Sequence, residues 1–286
     1  MAYASYEHRG VRRVGEVRGS SLVPLEGGTE LGPETGPEWL RDAARDKRAR
    51  VPVDEVRLLP VVPRPSKVFC VGLNYLGHVT ETKRELPTYP VLFPKFDSSL
   101  IGAHDDIVLP PESTQVDYEG ELAVVIGRAG RRIAEADAPH HVLGYTVAND
   151  VTMRDFQYRT HQWVQGKAWD ASTPIGPYLI PPDGVNLPGT GIRTVLNGET
   201  VQESDLSMLI FSVPRLIATI STFTALRPGD LILTGTPGGV GYRRDPQVFL
   251  TAGDRISVEV DGIGTLNNLV TMGQQTDQSN QEGGSQ

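Results

Sequence analysis

Apolar positions along most of this chain come in short, strand-sized runs separated by turn residues. Residues 67–73 form one such run, closed by Asn74-Tyr75, and residues 118–127, 143–148, 192–196 and 231–234 form others. Residues 255–260 place Ile256, Val258 and Val260 on one face, the two-residue period of a half-buried strand. Two helices interrupt the strands. Leu216, Ile217, Ile220 and Phe223 recur at helical spacing after Ser212-Val213-Pro214, and the pattern stops before the turn Arg227-Pro228-Gly229-Asp230. Near the N-terminus, Thr35-Gly36-Pro37-Glu38 combines an N-cap, a first-turn proline and a capping-box glutamate, which predicts a helix running to about residue 50. Strands and helices do not alternate regularly, so the pattern predicts a strand-rich α+β fold rather than a doubly wound sheet.

Composition adds organisation. At 286 residues, with 38% hydrophobic and 22% charged positions, the chain can bury a sizeable core. Residues 1–65 read as a small N-terminal domain closed by Val-Pro and Pro-Arg-Pro punctuation, residues 66–272 as the main domain, and residues 273–286, rich in Gln, Ser and Gly, as a disordered tail. The 31 glycines and 22 prolines fit many turns between short elements. A net charge of −8 argues against a nucleic-acid partner, which would require a basic patch. Cys70 is the single cysteine, which excludes a disulfide and a cysteine-cluster metal site. The longest apolar run, 122–126, is far too short to span a bilayer, and the N-terminus lacks a signal-peptide pattern, so a cytoplasmic chain without membrane contact is expected.

The candidate chemistry starts from Asp117-Tyr-Glu119-Gly-Glu121-Leu-Ala-Val-Val-Ile126. Residues two apart in a strand share a face, so Glu119 and Glu121 lead into the row of Ala123 and Val125. Both rows turn apolar, as in a strand covered on both sides. Two adjacent carboxylates entering a buried row repel and desolvate each other unless they share a proton, pair with Lys or Arg, or bind a metal; alternatively the strand end is exposed and both are surface acids. Asp150 ends another apolar strand. With the glutamates it would make an oxygen-donor set suited to Mg²⁺, Mn²⁺ or Ca²⁺ rather than Zn²⁺, although spacing alone does not join the three.

His78 and Glu81 stand i, i+3 if the chain turns helical after Gly77, where a carboxylate could orient an imidazole as a base; on pattern alone a solvated turn carrying the pair by chance is favoured. Lysine is scarce: five of 27 basic residues, the last being Lys167, as if kept for places that need a compact charge. The loop Thr234-Gly235-Thr236-Pro-Gly-Gly-Val-Gly241 lacks the Lys-Ser/Thr of a phosphate loop, yet its amides could face an oxyanion. No Gly-x-Ser-x-Gly elbow occurs.

In order, Gly72-Leu-Asn-Tyr-Leu-Gly-His78-Val-Thr-Glu81, Val91-Leu-Phe-Pro-Lys95, Asp117-Tyr-Glu-Gly-Glu121, Asn149-Asp-Val-Thr-Met-Arg-Asp155, Gly166-Lys-Ala-Trp-Asp170 with Pro174-Ile-Gly-Pro177, Arg227-Pro-Gly-Asp230 and the Thr234–Gly241 loop resemble the motifs of the fumarylacetoacetate hydrolase family over roughly residues 64–270. The resemblance implies a mixed β-roll catalytic domain, a homodimer, and Mg²⁺ or Mn²⁺ held by Glu119, Glu121 and Asp150. It also implies a His78–Glu81 catalytic dyad, Lys167 as a catalytic group that binds or polarises substrate, and substrate contacts from Arg154, Thr236 and Gly235. Trp169, where the family often has Phe, bears on the pocket wall. The expected activity is metal-dependent hydrolysis of a C–C bond in an acylpyruvate-like keto acid through a pyruvate enolate. The alternative is decarboxylation, isomerisation or tautomerisation of oxaloacetate-like or 2-hydroxydienoate acids through the same enolate. Loss of His78, Glu81 or Lys167 would have favoured a third possibility, a non-catalytic metal-binding scaffold.

Overall fold

The computed structural model describes residues 1–77 and 86–273. Its backbone is a mixed sheet of twelve strands, a sheet of five, and a short two-stranded ribbon, with few helices, as the run lengths predict. At the centre of the large sheet lies Gly120–Ile126, every residue of it buried. It pairs antiparallel with Val142–Asn149 on one side and with Leu231–Leu233 on the other. Leu231–Leu233 pairs in parallel with Val68–Gly72, which pairs antiparallel with Val91–Lys95. In the opposite direction, Val142–Asn149 pairs with Thr173–Ile180, and that strand meets Ala2–His8 at Tyr3 and Leu179. The first 24 residues thus extend the large sheet as Ala2–His8, Val11–Arg18 and Ser21–Pro24.

Each face of the central strand has its own core. Leu122, Val124 and Ile126 pack with Val258, Val260 and Leu266 of the five-stranded sheet, and with Leu216, Ile217 and Ile220 of the helix Val213–Phe223. Ala123 and Val125 face Cys70, Phe93, Ile175 and Leu179, together with Leu31, Leu40 and Val61 from the N-terminal segment. The strand is covered on both sides because both of its rows are apolar. The helix begins as its sequence predicts, with the Ser212 hydroxyl accepting from Arg215 N–H at 3.4 Å and Pro214 in the first turn.

The N-terminal helix is shorter than its capping signals suggest. It covers Pro37–Asp42 behind Gly36, because Thr35 turns its hydroxyl back onto Gly32, accepting from the Gly32 N–H at 2.7 Å and donating to the Gly32 carbonyl. The helix stops early for a tertiary reason. Glu26 N–H takes the Ala44 carbonyl at 2.9 Å, and the Arg45 guanidinium bonds the Leu40 and Arg41 carbonyls, so last-turn acceptors are satisfied without further helix. Of the segment expected as a tail, Gly273 hydrogen-bonds to Leu109 O, and the rest lies outside the described residues. No helix among the described residues is long and apolar enough to cross a membrane.

Candidate metal centre and adjoining cavity

Strand register supplies what spacing does not. Gly120 lies opposite Asn149, so the chain leaving Val142–Asn149 brings Asp150 beside Glu119, and Asp150 N–H donates to Glu119 O at 2.8 Å. Asn149 Oδ1 accepts from Glu119 N–H at 3.0 Å and fixes the other side of the junction. Glu119, Glu121 and Asp150 are all buried, and each offers a carboxylate oxygen within 4.8 Å of the other two. The alternative of exposed surface acids therefore does not describe this site. Gly120 is required between the glutamates, since a Cβ there would run into Thr194 Oγ1 and stand 2.9 Å from Val258 on the five-stranded sheet.

Three buried cations surround the carboxylates. Lys167 Nζ lies 2.7 Å from Glu119 Oε2 and 2.8 Å from Asp150 Oδ2. Lys95 Nζ lies 2.6 Å from Asp150 Oδ1 and also donates to Val151 O at 3.1 Å. Arg154 spans Asp117 Oδ2 and Glu119 Oε1, at 2.8 and 2.7 Å, and donates to Gln157 Oε1. Burial opposes the charge on Lys167, but Asp150 and Glu119 overcome it, so its ammonium is held more firmly than in water. Arg154 is likewise opposed by burial and secured by Asp117 and Glu119. Glu121 goes the other way: burial first, then the charges of Asp150 and Glu119, push its pKa well above the ordinary carboxylate range.

This donor set fits a hard divalent cation. Three oxygen ligands converge, no sulfur is among them, and the carboxylate that burial disfavours most gains most from a neighbouring dication. Cys70 is fully buried, and burial followed by the Asp150 charge pushes its thiol well up, so it is neither ligand nor nucleophile.

The glycine-rich loop closes the centre from a third side. Gly235, at φ +100°, donates its N–H to Glu121 Oε2 at 2.7 Å, and a Cβ there would lie 2.8 Å from that of Asn74. Thr236 donates its hydroxyl to Gly120 O and accepts from Gln202 Nε2, each at 2.9 Å, which ties the loop to the strand between the glutamates. Asn74 locks the same junction through Thr234 O and both backbone groups of Phe211. Asp117 accepts from the N–H groups of Gly241 and Tyr242 as well as from Arg154.

Of the residues read from sequence, the structure brings together Glu119, Glu121, Asp150, Lys167, Arg154, Gly235 and Thr236. His78 and Glu81 lie outside the described residues. Lys95, Asp117, Asn149 and Asn74 complete the centre without having been singled out as site residues. For Lys95 a signal existed in the same scarcity of lysine that marks Lys167.

A cavity of about 710 Å³ is lined by residues 91–93 and 158–163, none of which is a charged group of the centre. Phe93, whose ring lies 5.0 Å from Lys167 Nζ, forms part of its wall, and Trp163 packs edge-on against Phe93 at 5.5 Å. Arg159, His161 and Gln162 line another part. Trp169 packs instead on Phe156 at 4.9 Å and is absent from the described lining of this cavity. The volume suits a small organic acid.

A buried oxygen-donor centre on a mixed β-sheet, flanked by two lysines, defines a candidate metal centre of the oxygen-ligand class. Residues 67–271 match the family model described as fumarylacetoacetate (FAA) hydrolase, C-terminal. The chain belongs to the fumarylacetoacetate hydrolase family. It is 45% identical over 243 residues to human oxaloacetate tautomerase FAHD2A, mitochondrial, covering 83% of this chain and 77% of that one. Among solved structures, the fumarylacetoacetate hydrolase of psychrophilic Exiguobacterium antarcticum superposes with a TM-score of 0.82 at 34% identity, covering 96% of this chain and all of the other. The 2-hydroxyhepta-2,4-diene-1,7-dioate isomerase of Mycobacterium marinum superposes with a TM-score of 0.80 at 32% identity, covering 95% and 98%. The fold is that of the family, as the motif order implies.

Proposed function

We propose that this protein is a metal-dependent tautomerase or isomerase that interconverts the keto and enol forms of an oxaloacetate-like α-keto acid. The observation that carries the choice is the 45% identity, over most of both chains, to a protein named oxaloacetate tautomerase. Hydrolysis of an acylpyruvate, the activity the family resemblance first suggests, uses the same enolate, but the relatives favour the isomerase side of that chemistry.

Glu119, Glu121 and Asp150 would hold Mg²⁺ or Mn²⁺, which supplies Lewis-acid polarisation of the keto acid and tolerance for enolate charge. The remaining work falls to the chain's own groups. Lys167, kept protonated by Asp150 and Glu119, is a donor rather than a base, and it would stabilise charge developing on an enolate oxygen. Arg154 and the Gly235 N–H hold Glu119 and Glu121 in place. A base must take the proton from the carbon next to the ketone and return it to the oxygen. His78 oriented by Glu81 is proposed for that step. A small keto acid is the proposed ligand, and a cytoplasmic homodimer the proposed form.

The test is ultraviolet detection of oxaloacetate enol decay, with Mg²⁺ or Mn²⁺ and with chelator, run beside pyruvate release from acetylpyruvate and fumarylpyruvate. Cation-dependent tautomerisation lost in both Glu121→Gln and His78→Ala supports the proposal. Pyruvate release faster than tautomerisation would overturn it in favour of the hydrolase.

A further inference from the structure

Lys95 poses a question the proposed mechanism does not answer. Its side chain is fully buried, and its ammonium is bonded to Asp150 Oδ1, the oxygen that Lys167 does not take, and to Val151 O. Position alone does not require it. Asp150 is already held through Oδ2 by Lys167 and through its backbone N–H by Glu119 O, so its geometry is fixed from two other directions. The chain also writes arginine nearly everywhere, yet among the described residues two of its lysines, Lys95 and Lys167, stand in this one centre. A compact ammonium is the smallest way to place one positive charge against one carboxylate oxygen.

Charge counting gives that placement a purpose. Among the described residues, with every carboxylate ionised, Asp117, Glu119, Glu121 and Asp150 carry four negative charges against three positive ones on Lys95, Lys167 and Arg154. Whatever residues 78–85 add, Lys95 makes the centre one charge more positive, with a divalent cation or without it. A more positive centre attracts an anionic keto acid and its enolate, whereas the same charge repels the incoming dication.

We infer that Lys95 is a positioning residue whose charge makes the cation-loaded centre more positive, strengthening the grip on an anionic substrate while weakening the grip on the metal. This rests on the reading that Glu119, Glu121 and Asp150 hold a divalent cation.

The two effects have opposite signs, which separates the inference from a structural role. In the full-length protein, Mn²⁺ binding is titrated calorimetrically, and malonate, an unreactive dianion, is titrated into the Mn²⁺-loaded protein. The variants are Lys95→Gln, which keeps a donor for Asp150, and Lys95→Met, which does not. Both should bind Mn²⁺ about tenfold tighter or more and malonate about tenfold weaker or more, with KM rising further than kcat falls. Lys95→Gln binding both ligands like the wild type, or both more weakly, overturns the inference, as does either half of the effect missing. Failure of both variants to fold with Mn²⁺ present assigns Lys95 to the fold and overturns it too. No Mn²⁺ uptake by the wild-type protein overturns the cation reading itself, and the inference with it.

Discussion

Glu121 is the residue whose chemistry depends most on what binds beside it. Burial and the charges of Asp150 and Glu119 raise its pKa well above the ordinary value near 4.5. A carboxyl that binds its proton more tightly in the folded state favours folding while protonated. In the cation-free protein this contribution is fully present below about pH 4.5 and is lost as pH rises through the raised folded value. Glu121→Gln should therefore be flatter in stability against pH than the wild type over that interval, as read by urea denaturation in chelator at a series of pH values. Cation affinity of the wild type should fall as pH falls through the same range, because the proton competes for the same oxygen. Residue-scale chemistry was partly legible in advance. Period-two alternation places Glu119 and Glu121 on one face, and scarcity marks Lys167. Asp117 and Arg154 carry no such mark: their importance comes from a pairing across 37 positions that buries both charges together.

At the scale of elements, the run lengths and periods that predict 67–73, 118–127, 143–148 and 192–196 match strands of the fold; burial on two faces leaves an unbroken apolar signature in 120–126 and 142–149, whereas 191–196 alternates. The N-terminal strands are hidden by their composition. Arg12 and Arg13 interrupt Val11–Arg18, and only the two-residue turn Arg9-Gly10, both at positive φ, betrays a hairpin. The capping box at Thr35 misleads for the complementary reason, since a local signal yields to the longer-range bond from Glu26 to Ala44. Asp150 shows the same limit at the site: its place beside Glu119 follows from the pairing of two strands, which no spacing rule contains. Element packing also makes a sharp demand at Gly120. Gly120→Ala should cost about 1–3 kcal/mol by overpacking against Thr194 and Val258. Chemical denaturation measures that cost, and cation affinity should fall with it as the strand shifts under both glutamates.

For the whole molecule, the centre links metal loading to global stability. The carboxylates are gathered from two segments distant in sequence, so the proposed Mg²⁺ or Mn²⁺ would bind the folded chain and not the unfolded one. At about a thousandfold excess over Kd, mass action adds about 4 kcal/mol. The midpoint of thermal unfolding should rise by several degrees on adding Mn²⁺ and fall back with chelator. Glu121→Gln should lose most of that rise, and a wild-type midpoint indifferent to Mn²⁺ would refute the linkage.

The Asn74 side chain, 160 residues from its acceptor at Thr234, has a consequence in time as well as in space. A chain emerging from the ribosome delivers the two glutamates and Asp150 long before Leu231–Leu233 arrives to sit between Gly120–Ile126 and Val68–Gly72. Until then the carboxylates lack the loop that clamps Glu121, and the sheet cannot close. Such distant pairings slow folding, because loop closure must precede the contacts that reward it. Nascent chains halted before residue 231 should therefore bind no cation and remain open to protease, and cation capture would mark the moment at which synthesis of the fold is complete.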